Sequence, residues 1–267
     1  MKVVILCGGQ GTRLREQTEV LPKPMVAIGG RPILWHIMKT YAHFGLTEFV
    51  LCLGYKGDVI KDYFFNYQLR THDFEVRLGA NAGVNLLRDN GEEEDWTVSL
   101  IETGEKSQTG ARVYRVRDHL SNDTFCLTYG DGLGSIDIRS LLEFHKRHGK
   151  LATVTGVRPP GRFGELELDG DRVVAFAEKP QVTQSFINGG FFVLEHEFIE
   201  RYLSDDEDLT LEREPLQQVA ADGELMMYPH TGFWQPMDTY REWKMLEEMW
   251  ESGNAEWNMW NKPGRSN

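Results

Sequence analysis

Lys23 stands between two prolines, in PKP, ten residues beyond the stretch GGQGTR that leaves the apolar run VVILC. In an open α/β sheet, ligands sit at the carboxyl ends of the strands, and glycines there let backbone N–H groups approach phosphate oxygens without a Cβ in the way. Gly8, Gly9 and Gly11 occupy such an edge. Thr12 adds a hydroxyl, and Arg13, Arg15 and Lys23 form a positive cluster able to meet a triphosphate. The planar Arg13 guanidinium can fork onto two phosphate oxygens. Pro22 and Pro24 restrict the backbone around Lys23, which delivers its ammonium to one place at low entropic cost. No Gly-Lys-Ser/Thr closes a P-loop, and Leu14 stands where GxGxxG needs its last glycine. The bland alternative is a turn with solvated basic residues.

Two aspartates suit a hard cation. Asp131, in TYGDG, follows an apolar strand and is flanked by glycines, a placement that can hold Mg²⁺ against substrate phosphates. Asp238, in GFWQPMDT, precedes a helical pattern and would by itself be an N-cap; its pairing with Asp131 raises it to a metal candidate. Glu178-Lys179-Pro180 repeats the lysine fixed by a proline, and Asn188-Gly189-Gly190 sets an amide beside open backbone. These suit a polyhydroxyl and phosphate ligand, with ordinary turn chemistry as the competing account. His145 and His148 share a helix face without a third ligand, so they read as compensation of a helix C-terminus. HExxH, paired CxxC and G-x-S-x-G are absent, and DDED at 205–208 lacks EF-hand spacing.

These residues need a scaffold. KVVILC, TEFVLCLG, TVSLIET, TFCLTYG and LATVTGVR read as strands, and Arg31 to Phe44 places Ile33, Leu34, Ile37, Met38 and Tyr41 on one helical face. Strand, crossover helix, strand implies a doubly wound, mostly parallel α/β sheet covered on both faces. Residues 1–150 form the expected doubly wound half; 151–255 form a smaller β-rich half, with the last helix, that caps the open edge where ligands bind, and 256–267 a tail that frays in NKPGRSN. GELELDGDRVVAF reads as a hairpin, FINGGFFVL as one strand, and Asn81 to Trp96 as a solvated loop or an oligomer contact. The helix over Asp238 to Ser252 packs Trp243, Leu246 and Met249.

Bulk properties narrow the class. The chain has 267 residues, enough for a sizeable core, and its net charge of −12 disfavours nucleic acid and anionic membrane. No apolar run approaches a membrane span of about 20 residues. Cys7, Cys52 and Cys126 each lie in an apolar strand, so reduced core thiols in a cytoplasmic protein are expected.

Together GGxGTRL, Glu16 and Thr18 in E-x-T, PKPM, GRPILWHIM, GYKG, YGDG, PPGRFG, EKP, INGGFFVL and GFWQPMDT resemble the sugar nucleotidyltransferases from Met1 to about Trp250; GRPILWHIM, PPGRFG and GFWQPMD point to the cytidylyl branch. The resemblance implies that Leu6, Cys7, Gly8, Gly9, Gln10, Gly11, Thr12, Arg13 and Lys23 hold the nucleotide, with Arg13 and Lys23 catalytic. It implies that Ser107, Thr109, Gly110 and Arg112 help to read the nucleotide. Tyr129, Gly130, Glu178, Lys179 and Asn188 would line the sugar-phosphate side, and Asp131 and Asp238 would hold Mg²⁺. The implied reaction joins CTP and a sugar 1-phosphate, in a homo-oligomer without nucleic-acid or membrane partners. Ala27 stands where the family commonly has glutamate, and Ala111 where it commonly has glycine. Use of UTP or dTTP, another sugar or small phosphate, a non-catalytic nucleotide-sugar sensor and a nicotinamide oxidoreductase are the competing readings.

Overall fold

The computed structural model describes residues 1–9, 21–79, 81–88, 94–158, 165–169, 172–177 and 185–261. One sheet organises the chain. Its strands are β1 (Lys2–Leu6), β2 (Glu48–Leu53), β3 (Thr97–Glu102), β4 (Phe125–Tyr129), β5 (Ala152–Val157), β6 (Ile187–Asn188), β7 (Phe192–Leu194) and β8 (Leu225–His230). Across the sheet, β3, β2, β1 and β4 run parallel; β7 joins β4 antiparallel, β5 pairs with β6 and β7, and β8 runs parallel to β5. This is the doubly wound, mostly parallel architecture expected from the sequence.

Strand periodicity explains why both faces are covered. Along β1, Val3 and Ile5 enter one core cluster while Val4 and Leu6 enter the other. Continuous apolar runs are what a strand buried on both faces requires. On the first face α1 (Ile33–His43) supplies Ile33, Leu34, Ile37, Met38 and Tyr41, all buried, as its spacing implied. Behind the second face lie Val113 and Val116, from α3 (Thr109–Arg115) and its end, and Phe198 and Ile199 of α5 (His196–Tyr202). The helices α2 (Gly57–Phe65), α4 (Ile138–His148), α6 (Glu214–Ala221) and α7 (Tyr240–Glu251) complete the described helical layers.

The structure departs from the sequence-based expectation at several points. FINGGFFVL is broken into β6 and β7 because Gly190 and Phe191 adopt positive φ (74° and 46°). The supposed loop from Asn81 contains the strand Gly83–Arg88, paired antiparallel with Asp73–Arg77. Its side chains alternate without a core on either face, which removes the usual strand signature: Phe74, Val76, Val84 and Leu86 are all exposed. Strand β8 carries no plain strand signature because it contains Pro229, a residue suited to the sheet edge it occupies. Trp257, assigned to a tail, is fully buried beside Trp250 and His36. The Glu165–Asp169 and Arg172–Ala177 strands do pair antiparallel. All three cysteines are free and buried.

His145 and His148 do more than balance a helix terminus. The Thr153 hydroxyl lies 2.8 Å from His145 Nδ1 and 2.7 Å from His148 Nε2, and His145 Nε2 lies 3.0 Å from Glu195 Oε1. They tie α4 to β5 and to the start of α5.

Candidate active site

The carboxyl ends of β1 and β4 open into a cleft of about 490 Å³. Leu6, Cys7, Gly8, Gly9, Lys23, Ser107, Thr109, Arg112, Tyr129, Gly130, Asp131 and Asp238 all line it. Residues distant in sequence thus meet where strand order and crossovers place them.

Lys23 is the electrostatic centre. It begins a 3-10 turn, Lys23–Met25, closed by Met25 N–H to Pro22 O (2.8 Å) and Val26 N–H to Lys23 O (3.1 Å). Pro24 packs against the end of β4, where a Cβ on Gly130 would meet Leu6 O at 2.9 Å and Pro24 Cγ at 3.0 Å. Lys23 is only 8% exposed, and its Nζ donates to Asp131 Oδ2 at 2.5 Å and Asp238 Oδ1 at 2.6 Å. Burial acts to lower the Lys23 pKa, but the two carboxylates outweigh it and the net shift is upward.

Asp238 reaches this point through a short ladder. Gly132–Gly134 pairs antiparallel with Trp234–Pro236, and Met237 N–H donates to Asp131 O at 2.8 Å, which sets the two aspartates side by side. The N-cap of α7 is Thr239, not Asp238: Thr239 Oγ1 and Glu242 form a capping box, and Glu242 Oε2 also accepts the Asp238 N–H at 2.8 Å. The Asp238 carboxylate is therefore left for the cleft. Asp131 and Asp238 side chains are 33% and 21% exposed, so a cation from solvent can reach them. Two carboxylates converging on one cation form a donor set that fits Mg²⁺, which keeps several waters and takes few protein ligands. Among the described residues no group of three or more His, Cys, Asp or Glu side chains gathers to hold a metal, so the pair Asp131 and Asp238 is a two-carboxylate set.

Arg112 sits beneath the glycines. Its Nη1 donates to Leu53 O and Thr103 Oγ1, both at 2.9 Å, and its Nη2 to Gly8 O at 3.2 Å and Glu105 O at 3.4 Å. A Cβ on Gly8 or Gly54 would lie 2.1 or 2.4 Å from this guanidinium. Gly8 is thus open for Arg112 as well as for any ligand, whereas a Cβ on Gly9 would have nothing within 4 Å and would face open space. Burial lowers the Arg112 pKa from its ordinary value, yet its protein acceptors hold it in place.

The remaining expected residues divide clearly. Ser107 is buried and its Oγ accepts from Arg115 Nη1 at 2.6 Å. Gly110 is not on the cleft wall; a Cβ there would meet Leu209 O at 2.9 Å, so its bareness admits the neighbouring loop. Ala111 is fully buried off the wall, and Ala27 is exposed with its carbonyl accepting Trp243 Nε1 at 2.9 Å. Asn188 is exposed and donates to the Tyr129 hydroxyl at 3.2 Å. Gln10, Gly11, Thr12, Arg13, Glu178 and Lys179 lie outside the described residues. Glu105, Lys106 and Gln108 also line the cleft; no short motif marks them.

The geometry has counterparts among known proteins. Residues 2–239 match the model of the Nucleotidyl transferase family. The chain is 49% identical to a glucose-1-phosphate cytidylyltransferase of Salmonella typhi, covering 97% of this chain and 100% of that one. It is 43% identical, over the same shares, to a probable glucose-1-phosphate cytidylyltransferase of Bacillus subtilis. The solved structure of HddC from Yersinia pseudotuberculosis superposes with a TM-score of 0.68 at 25% identity, covering 93% of this chain and 99% of that one. A strand-end cleft with paired carboxylates and a buried lysine, together with these matches, places the chain in the nucleotidyl transferase family.

Proposed function

We propose that the chain transfers a cytidylyl group from CTP to α-D-glucose 1-phosphate, giving CDP-glucose and pyrophosphate. The observation that carries this reading is the full-length similarity to proteins of that name, combined with Lys23, Asp131 and Asp238 meeting at the ends of β1 and β4.

The chemistry is a direct displacement. A phosphate oxygen of the sugar phosphate attacks the α-phosphorus of CTP; the bond from that phosphorus to the bridging oxygen breaks, and pyrophosphate leaves with the electron pair. No proton transfer and no covalent enzyme intermediate are needed. Positioning two anions and neutralising their charge therefore dominate the work of the protein. Lys23 supplies a fixed positive charge beside the reacting phosphates, and Arg13 serves the leaving pyrophosphate. Asp131 and Asp238 would hold Mg²⁺, which supplies Lewis-acid polarisation of phosphate oxygens when bound. The Gly8-Gly9 backbone gives the nucleotide a surface without side chains, Ser107, Thr109 and Arg112 shape its wall, and Tyr129, Gly130, Glu178, Lys179 and Asn188 serve the sugar side.

The same reading assigns residues 1–150 to the nucleotide half and the β-rich remainder to the sugar half. It places the enzyme in the cytoplasm, which suits three buried free thiols; no helix among the described residues is long and apolar enough to cross a membrane. It includes self-association across the paired strands Asp73–Arg77 and Gly83–Arg88, where Leu78, just past the first, and Leu87 in the second are 86% and 61% exposed, since an isolated strand pair is marginal in water. Light scattering coupled to size exclusion reads that directly. For the reaction, ³¹P NMR of CTP and glucose 1-phosphate with Mg²⁺ and enzyme should show matched growth of a diphosphodiester and pyrophosphate; unchanged spectra would refute it.

A further inference from the structure

Glu212 belongs to no sequence motif, yet it joins the two walls of the cleft. It lies on the loop between α5 and α6, which runs against the start of α3: Gln108 N–H donates to Glu207 O at 2.8 Å and Gly110 N–H to Leu209 O at 2.9 Å. At the end of this strap the half-buried Glu212 carboxylate accepts two hydroxyls, Thr109 Oγ1–H at 2.6 Å on Oε2 and Tyr129 O–H at 2.6 Å on Oε1. The Leu211 N–H donates to Thr109 Oγ1 at 2.9 Å, and the Asn188 amide donates to the Tyr129 oxygen at 3.2 Å.

The direction of every proton in this chain of bonds follows. A carboxylate only accepts, so both hydroxyl protons point inward to Glu212. Burial, followed by the Glu212 charge, pushes the Tyr129 pKa upward, which keeps its proton in place. Thr109, which lines the cleft, has already accepted one backbone N–H, and with its proton committed to Glu212 its oxygen keeps one lone pair for a further donor.

We propose that Glu212 is a positioning residue that sets Thr109 as a hydrogen-bond acceptor toward the nucleotide, and so favours a base carrying an amino donor over one carrying a carbonyl at the same place. The proposal rests on the reading of this cleft as a nucleotide site. Glu212 acts through Thr109 rather than on the ligand, and an acceptor covered by a base whose carbonyl faces it leaves both without a partner, which is costly.

Glu212→Gln separates this role from a merely structural one. Glutamine has the same size and keeps two hydrogen bonds, but its amide must donate to one hydroxyl oxygen. Both hydroxyl oxygens already accept one N–H, Tyr129 from Asn188 and Thr109 from Leu211, but the phenol oxygen, with a lone pair delocalised into its ring, is the weaker acceptor and the stronger donor, so the amide donates to Thr109 and the Thr109 proton then turns into the cleft. The ratio of kcat/KM for CTP to that for UTP, with glucose 1-phosphate, should fall tenfold or more, carried mainly by KM for CTP. An unchanged ratio would overturn the proposal, whatever happens to absolute activity or to Tm. If Glu212→Gln does not fold, Thr109→Val removes the same acceptor, and its ratio decides in the same way. Should the wild-type enzyme bind nucleotides without turnover, the transferase reading fails by itself, and the calorimetric CTP to UTP affinity ratio of wild type and Glu212→Gln still tests Glu212. Binding of neither nucleotide would sink both.

Discussion

Gly8→Ala should be among the most damaging conservative changes in this chain, and the reason is Arg112. The added Cβ would lie 2.1 Å from Arg112 Cζ, far inside the ~3.5 Å of a carbon contact. The guanidinium cannot retreat to the other side, since Gly54 leaves it no more room there than a glycine allows. It must give up its bonds to Leu53 O, Thr103 Oγ1 and Gly8 O. Losing two of these charge-assisted bonds, at about 1.5–3 kcal/mol each, destabilises the fold by about 3–6 kcal/mol. For a chain of this size that lowers Tm by roughly 10 °C. Urea unfolding followed by tryptophan fluorescence measures the change. The decisive comparison is a double-mutant cycle: with Arg112→Ala in place the slot is vacant, and Gly8→Ala should then cost under about 1 kcal/mol. An equal cost with and without Arg112, or a neutral Gly8→Ala, would show that Gly8 does not make room for Arg112.

Two further predictions concern charge. His36 is fully buried, with Nε2 2.8 Å from Ile28 O and Nδ1 accepting from Trp257 Nε1 at 3.3 Å, an arrangement only the neutral ring satisfies. Burial lowers its pKa from 6.5 to about 4. The unfolded chain therefore takes up a proton first as pH falls, so stability is full above pH 6.5 and declines toward pH 4, by roughly 3 kcal/mol from this residue. Urea midpoints for wild type should fall more steeply over that window than those for His36→Gln; parallel curves would contradict the assignment. Lys23→Met should lower turnover on the order of 10² to 10³, the scale for one preorganised charge partner. It should also make Tm depend more on Mg²⁺ than in wild type, because Asp131 and Asp238 lose the ammonium between them; equal Mg²⁺ dependence would count against the shared cation site.

What the sequence revealed and what it hid divide along a physical line. Lys23, Asp131 and Asp238 were legible because each sits in a local device, a proline-bounded turn or a glycine-flanked strand end, that shows in five or six consecutive residues. The parallel sheet was legible from uninterrupted apolar runs such as that of β1. Glu212 was not, because a glutamate on a polar loop acquires meaning only when the loop folds back onto α3. The true work of Gly8 was hidden likewise: it depends on an arginine more than a hundred residues away. The exposed Asp73–Arg88 ribbon left no one-sided pattern to read, and the buried Trp257 followed a polar stretch that suggested an end.

Initial rates of pyrophosphate release with Mg²⁺, measured with CTP, UTP, dTTP, ATP and GTP, each with and without glucose 1-phosphate, decide the reaction. Rapid release should occur only where CTP and glucose 1-phosphate are both present. Faster release with another nucleotide, or release that ignores the sugar phosphate, would contradict the proposed cytidylyl transfer.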